Sequence, residues 1–174
     1  MERNAIVSVN TVKEFTNIDS NVDNDTILHT IWLAQDLYLE TLIGYSLMNK
    51  IWNCNGIFVE PYTSLVFHQI MPYILKVIEY EITIKLWMPA TSQGIAKNNN
   101  SDYENATIEE IKFVERRFKN AITSYGNKII KYLNYHVTDI PEYAEIVNGQ
   151  TNATANTMDQ IYISPEVQAY AKSL

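Results

Sequence analysis

The segment "TIEEIKFVERRFKNAITSYGNKIIKYL" (107–133) constrains the fold most. Ile108, Ile111, Val114, Phe118, Ile122, Tyr125, Ile129 and Leu133 follow one another at steps of three or four, the period of one helix face. Thr107, with Glu110 three positions on, forms a capping box at its start. At 1.5 Å per residue such a helix is about 40 Å long. Its apolar seam has to be covered by other elements, and the rest of the chain supplies helices for that purpose.

The stretch "TILHTIWLAQDLYLETLIG" predicts a helix over residues 26–43, with Asp23 or Asn24 as its cap and Gly44 at the left-handed closing position. A short helix, "YSLMNKIWN", follows and ends near Asn55-Gly56. Pro61 suits the first turn of a further helix running to about Met71, where Pro72 either kinks it or starts a new one. In Val77–Trp87 the residues Ile78, Tyr80, Ile82, Ile84 and Leu86 alternate with polar ones as in a strand. No partner strand or hairpin turn lies nearby, so helix is the expectation there. Residues 1–24 read as an extended lead-in, and "MPATSQGIAKNNNSDYENA" (88–106) as a long polar loop.

These segments give an all-α class: a helical bundle with an extended N-terminal lead-in, a long polar loop and a C-terminal arm. Residues 1–146 form the helical domain. Residues 147–158, within "VNGQTNATANT", are too polar to fold alone and read as a flexible linker. Residues 159–174 regain apolar character at Ile161, Tyr162, Ile163, Val167, Tyr170 and Leu174. They form either an arm that docks on a partner or a tail that folds back on its own bundle.

With 174 residues the chain is long enough for one domain with a real core. Its net charge of −7 argues against a broad basic surface that grips nucleic acid through phosphates. Cys54 is the single cysteine, which leaves no intrachain disulfide and no thiolate metal cluster. The opening "MERNAIVSVN" lacks the apolar core of a signal peptide, and no apolar run is long enough to span a bilayer. The expected compartment is the cytoplasm, or wherever a particle assembled there ends up.

Enzyme constellations are sparse. The five glycines are too scattered for a phosphate-cradling loop. His29, His68 and His136 are preceded at three positions by Thr26, Leu65 and Leu133, so the Glu-x-x-His pairing of di-iron bundles is absent. His29, Asp36 and Glu40 share one stripe of the first long helix, but roughly 10 Å separates His29 from Asp36 along the axis, and a solvated stripe explains them. Glu79 and Glu81 diverge on a helix, which argues against paired acid/base work. Cys54 stands between Asn53 and Asn55, with no His or Lys nearby to activate it. The densest basic run, "KFVERRFK" (112–119), is broken by Glu115, whose spacing suits an ion pair with Lys119 on a solvated face. The expectation is no enzyme, no cofactor and no metal.

The first long helix carries more apolar surface than one face needs. Ile27, Leu28, Ile31, Ala34, Tyr38 and Leu42 form its main core face. Trp32 and Ile43 border the charged stripe on one side and Leu33 on the other, and Leu33 and Leu37 lie well round from the core face. Either this helix is central in its bundle, or Trp32, Leu33, Leu37 and Ile43 meet another subunit. Twelve tyrosines and three tryptophans fit either arrangement, because amphipathic aromatics suit surfaces that are intermittently wet.

"SVNTVKEFTNIDSNVDND" followed by "ILHTIWLAQDLYLETLIGYSLMNKIW" resembles the opening of head–tail connector (adaptor) proteins of tailed phages, in the versions found in Bacteroidetes and crAss-like phages. The likeness rests on Ala34-Gln35 in the first long helix, the Leu-Ile-Gly stop, and the short Leu-containing helix after it. "MPYILKVIEYEITIKLWMPATSQGI" is similar to their Pro-Tyr-initiated middle helix and its Gly-hydrophobic pair, here Gly94-Ile95. "ATIEEIKFVERRFKNAITSYGNKIIKYL" is similar to their long third helix. Together these cover about residues 7–145. The resemblance implies a structural virion protein that forms a twelve-membered ring beneath the portal, extends the DNA channel and links capsid to tail. Its partners would be copies of itself, the portal protein and further tail or ring proteins, with genomic DNA passing through unbound and no membrane involved. The alternative is a non-viral intracellular helical bundle that binds a partner or ligand.

Overall fold

A computed structural model describes residues 4–54, 56–87, 90–91, 94–95 and 108–144. The expected cap Thr107, the linker 147–158 and the arm 159–174, with Ile161, Tyr162, Ile163, Val167 and Tyr170, lie outside the described residues. The described part is mostly helical, as the sequence predicts.

The lead-in is not simply extended. It contains α1, Val9–Phe15, whose start is capped by the Ser8 side chain accepting from Thr11 N at 3.0 Å. Seven residues make only two turns, too few for periodicity to register. Burial of Val12, with Val7 and Ile18 on either side, holds the segment against the bundle.

Helix α2 spans residues 24–43 and has three parts: Asn24–Leu33, a π-helical stretch Ala34–Leu39, and Glu40–Ile43. Asp23 caps it by accepting from Thr26 N at 3.0 Å. Gly44, at φ 79°, ends it while its N–H reaches Glu40 O at 2.8 Å, a backbone state that favours glycine. Helix α3, Tyr45–Asn53, buries Leu47, Met48, Ile51 and Trp52.

Helix α4 covers residues 62–87: Tyr62–Ser64, a second π-helical stretch Leu65–Ile70, and Met71–Trp87. Pro72 therefore neither ends nor restarts the helix. It follows a widened turn in which Met71 N–H bonds Val66 O, five residues back, so its missing N–H falls where the regular ladder is already shifted. The alternating segment Val77–Trp87 is helical, as expected. Tyr73, Ile74, Val77, Ile78 and Ile82 are buried, and α4 packs against α1, α2 and α5. A helix with neighbours on several sides is apolar on several faces, and that is why its pattern imitates a strand.

Within the expected polar loop, Ala90–Thr91 (β1) pairs antiparallel with Gly94–Ile95 (β2). Helix α5, Ile108–Tyr135, follows with 28 residues and packs on α4. Ile129 and Leu133 are fully buried, with Ile122 and Tyr125 packed at the edge of the core. Gly126 faces the Tyr73 ring and Leu42, and a Cβ there would lie 3.5 and 3.7 Å from them, at ordinary contact distance. A helical turn at 141–144 closes the described chain and buries Ile140 and Tyr143.

Candidate functional site

The outer side of α2 is the first candidate. Leu33 is 37% and Leu37 63% exposed, although both stand on a helix whose other side fills the core. Trp32 is half-buried, His29 exposed, and Asp36 and Glu40 half-buried. The four proposed interface residues do not stay together, because Ile43 is completely buried in the core of its own chain. The π-helical stretch explains this. On a uniform wheel Ile43 falls about 160° from Ile27. The wide turn, in which Glu40 N–H bonds Gln35 O, takes up an extra residue. That residue sets the phase back by about 100°, which returns Leu39 and Ile43 to the line of Ile27 and Ile31. Leu28 also departs from its expected core position. It is 39% exposed, while Thr30 is buried and satisfied by donating to Thr26 O at 2.8 Å.

Gln35, one of the residues that carry the resemblance, has a structural role that no sequence pattern assigns. Its side chain is fully buried, and Oε1 accepts from Ile6 N at 2.7 Å, tying the lead-in to α2. Its Nε2 is buried with no hydrogen-bond partner among the described residues. The available signal was a single amide amid apolar neighbours on a long helix.

Glu79 and Glu81 point to different partners. Glu79 is buried between Lys76 Nζ at 2.5 Å and Asn17 Nδ2 at 2.9 Å, which joins α4 to the lead-in. Glu81 accepts from the Tyr38 hydroxyl. Burial, and then that carboxylate, push the Tyr38 phenol well above its usual range. Both glutamates therefore hold elements together, and they do not face each other as an acid/base pair.

A polar recess of about 600 Å³ is lined by Glu60, Pro61, Ser64, Tyr132, His136 and Asp139. The Tyr132 hydroxyl donates to Pro61 O at 2.9 Å, Ser64 Oγ donates to Glu60 at 3.0 Å, and His136 Nδ1 lies 3.2 Å from Asp139. The Tyr132 and His136 rings lie against each other at a tilt of 35°, with centres 4.4 Å apart. Burial, then the nearby Glu60 charge, raise the Tyr132 phenol. No local pattern marks this site, since its two halves are some seventy positions apart. No group of three or more His, Cys, Asp and Glu among the described residues could hold a metal ion. Cys54 is half-buried.

On α5 the run 112–119 is the solvated face its pattern suggested. Lys119 and Glu115 pair at 2.6 Å, a contact that holds the lysine above and the carboxyl below its usual range. Phe113 is 60% exposed, with the Arg117 guanidinium 6.0 Å from its ring centre. No described helix is long and apolar enough to cross a membrane.

The described geometry defines a helical bundle with an apolar outer flank and an open polar recess. The chain belongs to DUF6712, a family of unknown function that it matches over residues 29–153. No curated protein and no solved structure matches it.

Proposed function

We propose that this protein is a non-enzymatic structural component of a tailed-phage virion: a head–tail connector (adaptor) subunit that forms a ring, of twelve copies by the resemblance, below the portal. The observation that carries the proposal is the outer side of α2, where Leu33 and Leu37 remain exposed while Ile27, Ile31, Leu39 and Ile43 fill the core. In a ring each protomer presents two different flanks, one to each neighbour, and a second apolar flank is what such packing uses. The net charge of −7 suits a passage that DNA crosses without sticking. In this proposal the ring sits at the head–tail junction after assembly in the host cytoplasm. Residues 159–174, with Ile161, Tyr162, Ile163, Val167 and Tyr170, dock on the portal or a neighbouring ring.

Mass spectrometry of purified particles from the source phage tests this, together with immunogold labelling of the chain. The expected result is a stoichiometric virion protein labelled at the head–tail vertex. Its absence from particles would refute the proposal. Deleting residues 159–174 is expected to weaken portal binding, and unchanged binding would remove the docking role of the arm. The alternative, an intracellular ligand-binding bundle, is favoured by the recess at Glu60, Ser64, Tyr132, His136 and Asp139. Copurification of a small molecule that a His136→Ala variant loses would support it.

A further inference from the structure

Charge is distributed unevenly between α2 and α5. α5 carries six Lys and Arg against three Glu. The whole chain has thirteen against twenty acidic residues, leaving seven against seventeen elsewhere. Residues 24–43, in contrast, contain Asp25, Asp36 and Glu40 and neither Lys nor Arg. Each helix also exposes apolar side chains beside its charges: Leu33 and Leu37 on α2, and Phe113, at 60%, on α5. Lys112, Arg116 and Arg117 are exposed around Phe113.

We infer that the outer side of α2 docks on the Phe113 face of α5 in a second copy of this chain, with Leu33 and Leu37 against Phe113 and the acidic side chains of α2 facing Lys112, Arg116 and Arg117. This rests on the ring proposal above and names the contact that would build the ring. Two α2 faces brought together would set like negative charges against each other, and two α5 faces would set the Lys112, Arg116 and Arg117 of one copy against those of the other, only partly offset by Glu109 and Glu110. Such juxtapositions cost several kcal/mol. The favoured contact therefore joins unlike surfaces, which leaves each copy with one free face of each kind and propagates head to tail. Nucleic acid is a poorer occupant for the α5 face, because Glu109, Glu110 and Glu115 interrupt its cations and Phe113 adds apolar surface.

The test places single cysteines at exposed positions in a Cys54→Ala background and mixes differently tagged chains under mild oxidation. The L37C chain is expected to cross-link to the F113C chain about tenfold faster than either cross-links to itself. High salt should slow that reaction, and a chain carrying both substitutions should form a ladder of higher species. Both sites are exposed, so melting temperatures should match the parent and establish that each variant is folded. Equal or faster L37C self-linking would overturn the inference. So would an absence of mixed product, including a case in which duplex DNA of random sequence binds and R116E/R117E abolishes that binding. Particle mass separates this from the ring proposal. Closed rings without the mixed product would sink the pairing alone, and an open ladder that never closes would sink the ring alone.

Discussion

Helices α2 and α5 bury themselves in different ways. α5 has one apolar seam, which meets the core at Ile129 and Leu133 and leaves the opposite side charged. α2 fills the core with Ile27, Ile31, Leu39 and Ile43 and still exposes Leu33 and Leu37. The π-helical stretch Ala34–Leu39 separates the two designs. By re-phasing the helix it gathers four core residues onto one line and leaves Leu37, two positions from a fully buried Leu39, on the outside. α5 buries its seam and shows Phe113 among its exposed charges, whereas α2 divides its apolar residues between the core and a second surface on the same helix.

The comparison is sharpest at those neighbouring leucines. Leu39→Ala should destabilise the protein by about 3 kcal/mol, since it opens a cavity in a closed core, and denaturant unfolding would measure it. A loss below 1 kcal/mol, on the order of a surface change, would mean that the re-phasing is wrong.

Alkaline pH probes the contact between α4 and α5. Burial pushes the Tyr73 phenol from 10.0 up to about 12. Below the unfolded value both states keep the proton. Above it the unfolded chain ionises first and the native state binds more protons. Stability should therefore fall as pH rises from 10.0 to about 12, by up to about 1.4 kcal/mol per pH unit. Tyr73→Phe should flatten that part of a pH–stability curve.

Smaller effects test how the pieces are joined. Gln35→Leu removes the acceptor for Ile6 N–H and should cost about 1 kcal/mol, with faster amide exchange confined to the lead-in. Gly126→Ala should stabilise by about 0.5 kcal/mol, because the added methyl meets Tyr73 and Leu42 at ordinary contact distance and helix glycines are entropically costly. A destabilised Gly126→Ala would contradict ordinary contact between α5, Tyr73 and Leu42 at this position. Smallest is Leu37→Asn, expected to leave unfolding of a single protomer within about 0.5 kcal/mol.

Much of this fold could be read in the sequence where one physical signal dominated. The three-and-four stepping of α5, the Asp23 cap and the Gly44 stop are each visible from residue type. Where two signals compete, the pattern misleads. A uniform wheel puts Ile43 at the surface because it carries no information about an i→i+5 turn, which only the surrounding packing selects. The pattern hides α1 because Asn, Thr and Val resist the helix locally and tertiary burial of Val12 overrides them. The recess at Tyr132 and His136 brings together α5 and the start of α4, and nothing local marks such a meeting. Leu33 and Leu37 stood out because they lay far from any core face, and they are exposed in the structure.

The central claim is that the outer side of α2 is a contact surface between copies. Multi-angle light scattering across a concentration series, comparing the native chain with Leu37→Glu, tests it most directly. The account predicts that the native chain assembles into species of several copies, while the variant stays at the 20.1 kDa of one chain with an unchanged melting temperature. A native chain that remains at single-chain mass at every concentration, or a variant that assembles equally well, would contradict it.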